Sequence, residues 1–144
     1  MIDVGYRFVE KSFRTQLQAL GWNVIDQDED IPEDLVACHR TEFREVVLKD
    51  VFKQSVSKIN LTNYGREWIN DKQLCDLFNG LTNQSSNILL EANMDMLSRF
   101  YKSTVDMNEV MGEDYPVVKI INCENWQNHH FIAIDQFRID TRNQ

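Results

Sequence analysis

The spacing of apolar residues changes period near residue 103, and that change sets the fold class. Before it, apolar positions recur every three or four residues; after it, short β-branched runs alternate with turn chemistry. Val9, Phe13, Leu17 and Leu20 mark the core-facing side of a helix predicted over residues 6–20, and Gly21 follows where a helix-terminating glycine belongs. "WNVI" (Trp22–Ile25) reads as a short first strand. The spacing then predicts a long helix from His39 to Ile59, carrying Phe43, Val47, Val51 and Ile59 with Val46, Phe52 and Val56 beside them. Its β-branched residues lower the propensity, but the period fits a helix better than alternation. A third helix over 70–80 has Leu74, Leu77 and Phe78 on one face and Gly80 at its end. A fourth, capped by Ser85 or Ser86, covers Asn87–Lys102 with Leu90, Met94, Leu97 and Tyr101 on its apolar face.

Past the change, "STVDMN" and "VVKIIN" read as strands, "GEDYP" as a turn and "FIAIDQFRID" (131–140) as the last strand. The last two strands are expected to form an antiparallel hairpin. The fold class is therefore α+β (α/β-like), with helices packed on a partial mixed sheet. No linker or repeat divides the 144 residues, so a single domain over 1–144 is expected.

Charge bounds the function. The net charge is −8, and "DQDEDIPED" (Asp26–Asp34) holds six of the 23 acids, leaving the remainder close to balance against 15 bases. Such a chain lacks the basic surface that supplies most non-specific DNA affinity, so only weak, salt-sensitive DNA binding is expected. Three widely spaced cysteines (Cys38, Cys75 and Cys123) suit buried or half-buried free thiols rather than a disulfide framework. No apolar run approaches membrane-spanning length and no signal-peptide core is present, so a soluble, cytoplasmic protein is expected.

The candidate site residues are few. His129 and His130 are adjacent and would face opposite sides of a strand, which suits turn residues better than a shared metal. Asp135 interrupts an apolar strand where the alternation changes face, as a bulge or bend does. Glu10 stands one helical turn before Arg14, the spacing of a surface ion pair, yet it borders the expected core stripe. Met94, Met96, Met107 and Met111 suit gap-filling in a core. The five glycines are isolated, so no phosphate loop is present, and Trp22, Trp68 and Trp126 form no base-stacking series.

Four segments taken in order add a resemblance. "FVEKSFRTQLQALGWNV", "TEFREVVLKDVFKQSVSKIN", "NILLEANMDMLSRFYKSTVDM" and "YPVVKIINCENWQNHHFIAIDQFRID" resemble the N-terminal region of the R (restriction and motor) subunit of type I restriction-modification enzymes. The shared features are an acid-bearing helix leading into a Leu-Gly-Trp turn, a second helix ending in asparagine, and a closing strand pair. "NCENWQNHH" departs from the family's turn at that point.

The resemblance implies a PD-(D/E)XK-type restriction endonuclease domain, in which two acids and a lysine hold Mg²⁺ and activate water. It implies Glu10 as the catalytic residue carried by this chain. The metal-binding Asp and the Glu-x-Lys strands are expected beyond residue 144, so these residues alone are expected to be inactive. Mg²⁺ and ATP are implied for the complete subunit and none for this segment. The implied partners are methylation and specificity subunits and double-stranded DNA. An unpaired last strand is expected to favour self-association through its edge. The alternative is an acidic, non-enzymatic protein-interaction module or DNA mimic.

Overall fold

A computed structural model describes residues 9–26, 34–83, 85–106, 110–112, 114–135, 137 and 139. The elements in chain order are α1 (Lys11–Ala19), β1 (Asn23–Ile25), α2 (Lys49–Ile59), α3 (Asp71–Thr82), α4 (Leu89–Tyr101), β2 (Ser103–Thr104), β3 (Val117–Val118) and β4 (Ile132–Ile134). Among the described residues this is an α+β arrangement with two two-stranded sheets, one parallel (β1 with β4) and one antiparallel (β2 with β3), where one mixed sheet was expected. The chain divides into two compact units, residues 1–46 with 130–144, and residues 47–129.

In the first unit, α1 stops because Gly21 takes a left-handed φ of 86°. The Gly21 N–H then donates to the Gln18 carbonyl and the Trp22 N–H to the Leu17 carbonyl, both at 3.0 Å, a Schellman closure that turns the chain into β1. β1 runs parallel to β4 with Asn23 opposite Ile132 and Ile25 opposite Ile134. Two further bonds extend the ladder, from the Asn23 N–H to the Phe131 carbonyl (2.8 Å) and from the Asp135 N–H to the Ile25 carbonyl (3.0 Å). The Trp22 and Phe131 rings pack 5.2 Å apart at its entry. Of the four residues expected to face the core, Val9, Phe13 and Leu20 are exposed, while Leu17 is half-buried as expected, next to Arg14 on the same side of α1.

The helix expected from His39 begins only at Lys49. Residues 34–40 form a separate turn: Asp34 accepts from the N–H groups of Val36 and Ala37, and His39 closes it at φ 56°. Arg40 is buried, with its guanidinium 4.0 Å from the Phe137 ring centroid and 5.5 Å from that of Phe43. The Glu45 carboxylate accepts from the Thr41 N–H at 2.6 Å. Side chain-to-backbone bonds of this kind compete with helix formation, and here they win over the apolar period. The acidic stretch between Asp26 and Asp34 lies mostly outside the described residues.

The second unit packs Val56, Trp68, Ile69, Leu74, Leu77, Val105, Val118 and Ile120 into one core, with Phe52, Leu81 and Phe100 against it. α3 starts with a reciprocal capping box. The Asn70 side chain accepts from the Gln73 N–H at 2.9 Å, and the Gln73 side chain accepts from the Asn70 N–H at 3.1 Å. Gly80 does not end this helix, which runs on to Thr82. A Cβ there would lie 2.8 Å from Nη1 of Arg99, so the glycine leaves room for that guanidinium against α3. α4 has no side-chain N-cap; Ser86 accepts from the Ile88 N–H and donates to Glu91 just ahead of it.

The expected terminal hairpin does not form, because β3 pairs with β2 and β4 pairs with β1. Beyond β3 the backbone at Lys119 is bonded on both its N–H and its carbonyl by the Asn60 side chain, so a strand partner at that residue is replaced. Met94, Met96 and Met111, expected to fill the core, are exposed instead, and Met107 lies outside the described residues. Of the three thiols, Cys38 is buried and Cys75 half-buried as expected, whereas Cys123 is exposed.

Candidate functional site

Two parallel strands that end side by side carry an acid just past each end. Asp26 follows β1 and Asp135 follows β4, and the carboxyl ends of parallel strands are where open α/β sheets commonly place ligands. Arg14, from α1, reaches both: its Nη1 is 2.6 Å from Oδ1 of Asp26 and 2.6 Å from Oδ2 of Asp135. The Asp135 side chain is 9% exposed and that of Arg14 20%, while Asp26 opens to solvent at 42%. The guanidinium thus neutralises a nearly buried carboxylate that would otherwise be costly to desolvate.

Glu10, the residue that the resemblance implies is catalytic, immediately precedes α1 in helical backbone conformation and is half-buried. It stands one turn from Arg14, on the same helix face. The sequence pattern marked Asp135 as an interruption of a strand and Asp26 only as the first acid of the Asp26–Asp34 stretch; the parallel pairing brings both to one guanidinium. The available signal was an acid directly after each β-branched run.

These side chains do not by themselves fit a divalent cation. Mg²⁺ requires near-octahedral oxygen ligation, whereas Nη1 of Arg14 bonds both carboxylates. Among the described residues, no group of three or more His, Cys, Asp or Glu side chains is placed to hold a metal ion.

His129 is built into a turn. Its Nε2 accepts the Asn122 N–H at 2.9 Å, which leaves the proton on Nδ1, 3.1 Å from the Trp126 carbonyl. The buried Asn122 carboxamide accepts from the N–H groups of Glu124 and Asn125, and a 3-10 turn over Trp126–Asn128 completes the loop. His130 is exposed beside it.

The second unit holds two polar groupings. Lys53 Nζ lies 2.6 Å from Asp71 Oδ1, and Cys75 Sγ lies 3.8 Å from Asp71 Oδ2. The hydrogen bond from Lys53 holds the Asp71 carboxyl below its ordinary value, and the same bond raises the Lys53 ammonium. A separate cavity of about 290 Å³, between α3, α4 and β2, is lined by Asp76, Arg99, Lys102, Thr104 and Asp106 among others. Its mixed charges favour no single ligand class.

A family model described as "Type I restriction enzyme R protein N terminus" matches residues 7–144. No curated protein and no solved structure matches the chain. Among the described residues, no helix is long and apolar enough to cross a membrane.

Proposed function

The chain belongs to the family of the type I restriction enzyme R protein N terminus, and on that premise we propose that it forms the opening part of an R subunit's nuclease domain. The complete subunit is then an ATP- and Mg²⁺-dependent DNA endonuclease and translocase, working in the cytoplasm with methylation and specificity subunits. In this reading residues 1–144 supply the first part of a PD-(D/E)XK-type domain: its leading helix, its first strands and Glu10. The observation that carries it is the placement of Asp26 and Asp135 at the carboxyl ends of adjacent parallel strands, both bonded by Arg14 of α1, with Glu10 just ahead of that helix. Because these residues do not fit Mg²⁺ unaided and the sequence has no phosphate loop, no cleavage step and no ATP contact is assigned to residues 1–144 alone.

Plasmid cleavage tests the proposal. Residues 1–144 with Mg²⁺ are expected to leave supercoiled DNA intact. In the complete subunit assembled with its partners, Glu10→Gln is expected to abolish cleavage while ATP hydrolysis persists. Cleavage by residues 1–144 that disappears on Glu10→Ala would overturn the view that they are catalytically incomplete. Full cleavage by the Glu10→Gln complex would remove Glu10 from the site.

A second reading, a non-enzymatic interaction module, is favoured by the apolar side chains that α4 leaves in solvent.

A further inference from the structure

The apolar stripe of α4 was expected to face the core, yet it faces solvent. Leu90, Met94, Leu97 and Tyr101 are 68%, 63%, 53% and 84% exposed, and it is Phe100 that packs against the core. Their spacings of four, three and four residues are those of a heptad seam, the pattern with which one helix packs along another. Apolar side chains exposed together along one helix face mark a contact surface.

We propose that this seam is a homodimer interface, in which α4 of one copy packs antiparallel against α4 of a second. The pairing is self-complementary when residues 94 and 97 straddle the two-fold axis. Met94 then meets Leu97 of the second copy, and Leu90 meets its Tyr101. Leu97 and Tyr101 line a cavity of about 490 Å³ with Phe100 and Ile121, rimmed by the Lys119–Glu124 ion pair, and its apolar part receives Leu90 of the second copy as a knob. Charge selects the direction. The acid Glu91 sits at the start of the helix and Lys102 just past its end, so antiparallel packing brings opposite charges together. Parallel packing would set Glu91 against Glu91 and align the two helix dipoles unfavourably. The proposal does not depend on the nuclease reading.

A 13-residue helix spans roughly 20 Å, which gives a seam smaller than the ~800 Å² per partner of a standard interface. Association is therefore weak and is to be sought by sedimentation of the full chain from about 10 µM to 1 mM. A reversible monomer–dimer equilibrium is expected. Leu97→Glu should raise its dissociation constant at least about tenfold without loss of helical circular dichroism, because the side chain is already half in water. Lys102→Glu should weaken the dimer, and Glu91→Lys/Lys102→Glu should restore it. A monomer throughout the range, or a dimer indifferent to Leu97→Glu, overturns the interface. A dimer that the double exchange fails to restore overturns the antiparallel pairing.

Discussion

The side-chain amide of Asn60 hydrogen-bonds both the N–H and the carbonyl of Lys119, at 2.8 and 2.7 Å, across 59 residues of sequence. A third bond, from the same Nδ2 to the Val56 carbonyl at 2.8 Å, ties it to the last turn of α2. One buried carboxamide thus ends a helix and completes the backbone pairing of the segment beyond β3.

Replacing Asn60 by Ala should leave the Lys119 N–H and two carbonyls without this partner. The expected loss is about 2–3 kcal/mol, because an unsatisfied buried polar group costs about 1–3 kcal/mol. Urea unfolding would read it as a lower midpoint at unchanged slope. Asn60→Asp should not rescue it, since it restores the acceptor for the Lys119 N–H and neither donor.

Arg14→Ala removes the shared cation from Asp26 and Asp135. Asp135 is nearly buried, but Asp26 and Arg14 reach solvent, so the expected cost is about 1–3 kcal/mol, below that of a fully buried pair. Adding Asp135→Asn should recover part of the loss. A double-mutant cycle with no coupling would mean that the ion pair does not hold α1 to the strand ends.

The Lys53–Asp71 pair makes opposite predictions at the two ends of the pH scale. Asp71 is held below its ordinary value, so its contribution is present above that value and fades as pH falls through the folded-state pKa. Lys53 is held above its ordinary value, so its contribution is present below that value and fades as pH rises through the folded-state pKa. Relative to Lys53→Met, wild-type stability should therefore be level from about pH 4 to pH 10 and converge on the variant outside it. Carboxyl-detected NMR should find Asp71 titrating below an ordinary aspartate. An ordinary midpoint there would contradict the hydrogen bond.

His129→Ala should release the Asn122 N–H, whose acceptor is Nε2 of that ring. Hydrogen exchange at Asn122 should accelerate while exchange in α3 stays unchanged. Because His129 is engaged in a turn, zinc or a chelator should leave the melting temperature unmoved. A zinc-dependent rise would return the histidine pair to the list of metal ligands.

Much of the local structure was legible in the residues. Gly21 marked the end of α1, the Leu74, Leu77 and Phe78 face marked the buried side of α3, and Trp22–Ile25 marked β1 to within a residue. The failures have identifiable causes. The 39–59 period was broken by a left-handed His39 and by the Glu45–Thr41 bond, which an apolar pattern does not register. Gly80 was taken as a helix stop because its reason for being small, the Arg99 guanidinium, lies on another helix. The candidate site was half legible: Asp135 stood out, but Asp26 and Arg14 did not.

The sequence by itself determined what neighbouring residues decide among themselves: helix period, the glycine closure of α1 and the α+β class. Such features depend on contacts within a few residues and are written in spacing. Only the tertiary structure decided which strands pair, that Arg14 serves two acids, one of them 121 residues away, and that the stripe of α4 faces out. Strand alternation specifies a face but neither a partner nor a direction. A charged side chain likewise carries no mark of the distant group that will neutralise it.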